Sequence, residues 1–217
     1  LKEMQKTYPD LKLTLPFCTQ EYMSNGQGYY RNFPENIQIV MTGGRVWGEV
    51  TNDFTTTFTN NVGRGPYMWI NWPCTDNSKK HLIMGGYTTF LHPGVDPNKI
   101  QGIVLNPMQQ SEPSKVAIFG NACYSWNIWQ SEEEAQRCWN ASFKYVDHNS
   151  ALETKASAAL RELSKHMINQ NMDGRVTALQ ESVDLKDRLA SFKEAISNGT
   201  TISDEQFEDL HNEFTIL

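Results

Sequence analysis

Four short apolar runs, each closed by polar, Pro or Gly residues, punctuate the first half of the chain: Leu11–Phe17, Ile37–Thr42, Tyr67–Trp72 and Gly102–Asn106. Only the first alternates apolar and polar positions. The second and fourth are nearly continuous in apolar residues, as expected of strands covered on both faces of a parallel sheet. Their centres lie about 25–35 residues apart, the length of a strand plus its crossover. The stretches between them supply part of the helices. Lys2–Tyr8 precedes the first run, and Val46–Thr57 is a candidate weakened by its threonines. Ser111–Gly120 has Ser to cap it, Pro in its first turn and Gly to close it. Asp76–Lys99, with Gly85, Gly86 and two prolines, reads as a long loop, and a loop of that length in a compact domain generally carries function.

From Ser131 onward the pattern is helical only. Capping boxes are expected at Ser131/Glu134, Ser150/Glu153 and Ser203/Gln206. Leu152, Ala156, Ala159, Leu160, Leu163 and Met167 form one apolar stripe; Val176, Leu179, Val183, Leu189, Phe192 and Ile196 nearly form another. Gly174 and Gly199 stand where helices should end. The expected architecture is therefore α/β: about four parallel strand–helix units over residues 1–147, followed by an all-α helical bundle over 148–217. Four units are half of an eight-stranded (β/α)8 TIM barrel, which takes about 250 residues in full. An open flavodoxin-like sheet fits the same count, but it calls for a phosphate loop after its first strand, and Pro16-Phe17-Cys18-Thr19-Gln20 is not Gly-rich.

Composition narrows the function classes. The 217 residues carry a net charge of −6, unevenly placed: residues 1–127 hold 10 Lys and Arg against 9 Asp and Glu, residues 128–217 hold 9 against 16. That balance argues against a nucleic-acid binder, which is generally basic on at least one face. The acidic helices read as a solvated face, with a docking surface for a partner as the rival. No run approaches the ~18 apolar residues of a membrane span. The opening LKEMQKTYPDLKL has neither an initiator Met nor a signal-peptide pattern, so the chain is expected to start inside a longer or processed polypeptide. Cys18, Cys74, Cys123 and Cys138 are far apart, with no CxxC and no Cys/His spacing; four free, mostly buried thiols are expected, and no metal site. The five histidines do not pair at metal spacing. Asn140-Ala-Ser and Asn198-Gly-Thr match the glycosylation acceptor pattern.

In parallel β/α folds the active face lies at the carboxyl ends of the strands. The residues there are Cys18-Thr19-Gln20-Glu21-Tyr22, Thr42-Gly43-Gly44-Arg45, Asn71-Trp72-Pro73-Cys74-Thr75-Asp76 and Asn106-Pro107-Met108-Gln109. Amides, hydroxyls and carboxylates beside aromatic rings suit a sugar, whose apolar ring face stacks and whose hydroxyls need planar partners. Each residue also has a plainer role open to it. Trp69 could be core, Asn106-Pro107 a turn, Asp76 a loop cap and Tyr22 an exposed loop residue.

The exact strings add a resemblance. Trp69-Ile-Asn71-Trp-Pro-Cys-Thr-Asp76, Gly102-Ile-Val-Leu-Asn106-Pro-Met108, Ser114-Lys-Val-Ala-Ile-Phe-Gly120 and Tyr124-Ser-Trp126-Asn127, with the Thr42-Gly43-x-Arg45-Val46 and Cys18-Thr19-x-Glu21-Tyr22 turns, resemble family 84 of the glycoside hydrolases over about residues 1–150. These are β-N-acetylglucosaminidases of the hyaluronidase and O-GlcNAcase type. The resemblance implies a (β/α)8 hydrolase that removes terminal β-linked N-acetylglucosamine (GlcNAc) from a glycoconjugate with retention, needs no cofactor, and uses the sugar's own acetamido group as nucleophile. Position by position it implies that Tyr22 bonds around the acetamido group, Thr42 and Val46 shape its turn, Trp69 walls the pocket, and Asn71 supports the first catalytic carboxylate. It further gives Asp76 two sugar hydroxyls and Asn106 the outer ones. Ile70 departs from the family's second Trp and Asn77 from a Tyr. The family's Asp-Asp pair is expected upstream of Leu1, because the chain contains no Asp-Asp; on its own it is then expected to be inactive, and a non-catalytic sugar-binding module is the alternative. Open sheet edges imply self-association, and the bacterial branch of the family implies an extracellular or cell-surface location.

Overall fold

The computed structural model describes residues 2–11, 13–17, 27–76, 82–85, 90–146, 152–168 and 180–216. After a short helix α1 (Lys2–Gln5), strands β1 (Leu13–Phe17), β2 (Ile37–Met41), β3 (Tyr67–Ile70) and β4 (Gly102–Leu105) form one sheet. All pairs are parallel and the spatial order is β1-β2-β3-β4, with Leu13 opposite Ile37, Val40 opposite Tyr67, and Tyr67 opposite Gly102. A doubly wound sheet reverses its strand order partway across. This one does not, so the flavodoxin-like alternative gives way to a partial, TIM-barrel-like α/β fold, with all four carboxyl ends on one side.

Each strand is one or two residues shorter than its apolar run, because the terminal residues have turned into the loops. β2 is buried as its composition predicts. β4 is not: as an edge strand it has cover on one side only, and Val104 remains 36% exposed. The candidate helix at Val46–Thr57 is displaced to α2 (Asn52–Val62). Thr51 caps it by accepting from the Phe54 N–H at 3.1 Å, and Gly63, at φ +86°, closes it in the left-handed region where a side chain would be strained. Tyr30, Ile39, Met41, Phe58 and Val62 pack together between β2 and α2.

The helix expected at Ser111–Gly120 runs on as α3 (Ser111–Trp126). Gln110, not Ser111, takes the capping position, without a side-chain bond. Gly120 does not end the helix. It lies inside it because a β-carbon there would sit 3.3 Å from the buried Trp72 ring. The main core joins Met68, Ile70 and Trp72 to Val116, Ala117 and Tyr124 of α3 and to Trp139 and Phe143 of α4 (Glu132–Val146).

At the start of α4 the Glu134 N–H bonds the Ser131 hydroxyl, but the Glu134 carboxylate reaches the Gln130 N–H, not that of Ser131, so the expected box is only half formed. Ser150 lies outside the described residues; the box that forms ahead of α5 (Lys155–Ser164) is Thr154/Ser157. The buried face of α5 matches the predicted stripe only in part, through Leu160 and, beyond the helix, Met167. Ser157 and Ser164 are buried and Leu160 packs on the main core, whereas Leu152 stands exposed before the helix and Ala156 faces solvent. Met84 and Gly85 both donate main-chain N–H groups to the Met167 carbonyl, at 2.9 and 3.0 Å. The same two residues accept from indoles: Trp139 to the Met84 carbonyl at 2.9 Å and Trp72 to the Gly85 carbonyl at 3.0 Å. The last helices, α6 (Gln180–Ser197) and α7 (Asp204–Ile216), meet through Phe192 and Phe207, with Leu185 and Leu210 buried. Gly199, at φ +65°, follows α6, and the Ser203/Gln206 box starts α7. The second stripe's Val176 and Leu179, and Gly174, fall outside the described residues, whereas Val183 lies in α6. Among the described residues no helix is long and apolar enough to cross a membrane.

Candidate functional site

Side chains alternate across a strand, so in β3 the residues Met68 and Ile70 enter the core under the helices while Trp69 and, just past the strand, Asn71 share the opposite face. Asn71 is the node of that face. Its Oδ1 accepts from Trp69 Nε1 at 2.8 Å and from Asn106 Nδ2 at 3.0 Å, and its Nδ2 donates to the Val46 carbonyl at 2.5 Å. Asn106 is delivered there by the sheet, since its N–H bonds the Ile70 carbonyl at 2.9 Å and prolongs the β3–β4 ladder. Loops after β2, β3 and β4 thus meet at one nearly buried amide.

The β2 loop is held by two devices. Gly43 adopts φ +84°, and Gly48 passes so close to Thr42 that an added β-carbon would lie 1.6 Å from the Thr42 carbonyl oxygen. The buried Thr42 hydroxyl donates to the Arg45 carbonyl, closing the turn that presents Val46. Beyond the turn, Glu49 takes Arg45 Nη2 on one oxygen at 2.5 Å and His92 Nε2 on the other at 2.8 Å. Val50 pairs with the segment carrying His92, and the Tyr124 hydroxyl donates to the His92 carbonyl at 2.7 Å. Burial pushes the Tyr124 phenol well above its ordinary value, so it stays a donor.

Of the seven residues singled out in the sequence, the structure joins four directly: Val46, Trp69, Asn71 and Asn106. Val46 takes part through its carbonyl, and its side chain is exposed. Thr42 acts one step away, inside the turn. Asp76 is exposed and hydrogen-bonds the Cys74 thiol, which burial pushes up and the Asp76 main-chain bond pulls down. It makes no bond to the Asn71 node. Tyr22 lies outside the described residues. The Arg45–Glu49–His92 cluster was not singled out; the i, i+4 spacing of Arg45 and Glu49 was its one local signal. Among the described residues no group of three or more His, Cys, Asp and Glu side chains is placed to hold a metal. The site offers hydrogen-bonding amides fixed beside an aromatic ring.

Comparison with known proteins gives one family match, to a model described as NAGidase, beta-N-acetylglucosaminidase, over residues 1–165. Among solved structures, CpGH84D is similar at 29% identity and a TM-score of 0.77, over 99% of this chain and 35% of that one. An O-GlcNAc hydrolase from Thermobaculum terrenum, solved as a mutant, superposes with a TM-score of 0.66 at 18% identity, over 98% of this chain and 44% of its own. CpGH84B follows at 21% and 0.63, over 87% and 31%. The chain therefore spans about a third to under half the length of the structures it matches.

Proposed function

Because the chain belongs to the β-N-acetylglucosaminidases of glycoside hydrolase family 84, we propose that it forms the sugar-holding wall of a retaining enzyme acting on terminal β-linked GlcNAc. The observation that carries this is the Asn71 node, where three separate family-like strings converge on one amide. With its Oδ1 saturated by Trp69 and Asn106, Asn71 is locked in one orientation. A fixed orientation is what a sugar pocket needs, because each amide must meet a hydroxyl or acetamido group without reorganising. Trp69 supplies the apolar wall for the acetamido methyl, Asn106 turns its remaining amide atoms to ring hydroxyls, and Asp76, exposed at the rim, takes O4 and O6 when sugar binds. Tyr22 and the Thr42–Val46 turn complete the acetamido side.

The chemistry is substrate-assisted: the acetamido oxygen attacks the anomeric carbon and an oxazoline forms. One carboxylate of a pair orients the acetamido N–H while its neighbour, with a raised pKa, acts as acid and then base. No Asp-Asp occurs in these 217 residues, so in this proposal the pair comes from elsewhere in the polypeptide and the chain alone binds without turnover. The same missing pair favours one second reading, a GlcNAc-binding module without catalysis. In either case α5 belongs with the barrel part, since Leu160 and Met167 pack on its core, and the helices α6 and α7 form the appended part.

The test is titration of the chain with methyl β-N-acetylglucosaminide, following the Trp69 indole N–H by NMR, beside hydrolysis of a chromogenic β-N-acetylglucosaminide. Saturable movement of that signal, abolished in Asn106→Ala, is expected without hydrolysis; addition of the polypeptide half that bears the Asp pair then restores turnover. Binding with no turnover in the complete polypeptide selects the binding module. No movement at tens of millimolar sugar overturns both.

A further inference from the structure

Two of the cysteines meet. Cys123 on α3 and Cys138 on α4 are brought together by the packing of these two helices, and the Cys138 thiol is in hydrogen-bonding contact with Cys123. Both are half-buried and reduced, and both line one groove of about 600 Å³ with Trp126, Arg137 and Ala141. The groove is open to solvent; its rim residue Trp126 is 93% exposed. This face is remote from the Asn71 node along the chain and along α3, whose amino end follows Asn106 while Cys123 lies in its last turn. We propose that Cys123 and Cys138 are a thiol pair that low-molecular-weight disulfides convert to an intramolecular disulfide stapling α3 to α4.

Three features of the site support this. A disulfide needs its two sulfurs on facing elements with little backbone movement, and adjacent packed helices with the thiols already in contact meet that need. The linking segment, Asn127–Ser131, is short, so the helices cannot drift apart. The groove gives a small disulfide access to the pair, since both half-buried cysteines line it. Burial pushes the Cys138 thiol far above its ordinary value, which makes it the slower attacker. The sequence of events is then defined. The Cys123 thiolate attacks one sulfur of oxidised glutathione, breaking its S–S bond and releasing one glutathione thiolate. Cys138, on losing its proton to solvent, attacks the Cys123 sulfur of the mixed disulfide and releases the second glutathione. The protein loses two electrons and two protons, and one glutathione disulfide becomes two thiols. The spacing of the cysteines in sequence conceals all this, because 15 positions match no metal or redox motif.

The test uses the full chain incubated with oxidised glutathione, blocked with N-ethylmaleimide and digested without reduction. Mass spectrometry is expected to find the Cys123 peptide linked to the Cys138 peptide, with titratable thiols falling from four to two and returning with dithiothreitol. Closing a loop of this size raises the melting temperature by about 5–10 °C in the oxidised form. Cys138→Ser is expected to stop at the mixed disulfide, carrying one glutathione on Cys123. The proposal is overturned if both cysteines are recovered as maleimide adducts, if Cys18 or Cys74 supplies the linked partner, or if the linkage is intermolecular.

Discussion

Replacing Asn71 by Ala removes the one group that satisfies three others. The Trp69 indole N–H and an Asn106 amide hydrogen lose their acceptor, and the Val46 carbonyl loses its donor. A buried polar group left without its partner costs about 1–3 kcal/mol. Trp69 and Asn106 are only half-buried, so water recovers part of their loss and the lower end of that range applies to each. Adding the small void left by the amide, the expected cost is about 2–3 kcal/mol, or a fall in melting temperature of about 5–10 °C for a chain of this size. Urea unfolding followed by tryptophan fluorescence reads it directly. Asn71→Asp is the sharper variant: the carboxylate still accepts from Trp69 and Asn106 but faces the Val46 carbonyl with no hydrogen to offer, so it is expected to lose at least as much. Asn106→Ala combined with Asn71→Ala should cost less than the sum, by about 1 kcal/mol, because the shared bond is counted twice. A cost below about 0.5 kcal/mol for Asn71→Ala, or strict additivity in the pair, refutes the claim that this amide is the node of the face.

Three further outcomes follow from the same structure. Gly48→Ala forces a β-carbon into the Thr42 carbonyl, so it is expected to destabilise by more than about 3 kcal/mol or to prevent folding, read by circular dichroism against wild type. Tyr124, Cys74 and Cys138 all have their neutral forms favoured by burial. The unfolded chain therefore loses these protons first as pH rises, so stability is level below about pH 8 and declines from about pH 9 upward; a urea midpoint unchanged between pH 8 and pH 11 contradicts this. The outer side of β4, with Val104 exposed, has no strand partner among the described residues, so light scattering is expected to show mass rising with concentration, and a fixed monomer mass up to millimolar protein rules that out.

The strands were legible because buried parallel strands are written as short apolar runs closed by polar, Pro or Gly residues; their order was not fixed by the spacing, which fits a half barrel and an open sheet alike. β4 was misjudged in burial because an edge strand carries the same composition as a central one; only the partner on its far side differs. Gly120 looked like a stop since a helix end and a close approach to Trp72 both call for the absence of a β-carbon. In α5 the buried positions are serines whose hydroxyls are satisfied locally, Ser157 on the Thr154 carbonyl and Ser164 on that of Leu160, so an apolar stripe does not reveal them. At the site, the i, i+2 spacing placed Trp69 and Asn71 on one face, and the string around Asn106 marked the next strand end. The role of Val46 as a carbonyl was invisible, because any residue carries one. Glu49 and His92 are 43 positions apart, and nothing in either neighbourhood announces the other.

The pairing of Met84 and Gly85 with the Met167 carbonyl has a temporal side. A polypeptide is made from its amino end, and Met84 and Gly85 are made about 80 residues before the group that holds them exists. At synthesis rates of about 5–20 residues per second, the delay is roughly 5–15 s. For that interval the two main-chain donors have only water for company, while the β2–α2 layer has all its parts. The nascent chain thus has a built-in order of assembly: the layer around Ile39 and Phe58 is able to settle early, and Met84 and Gly85 wait for the residues just past α5 to emerge and fasten them.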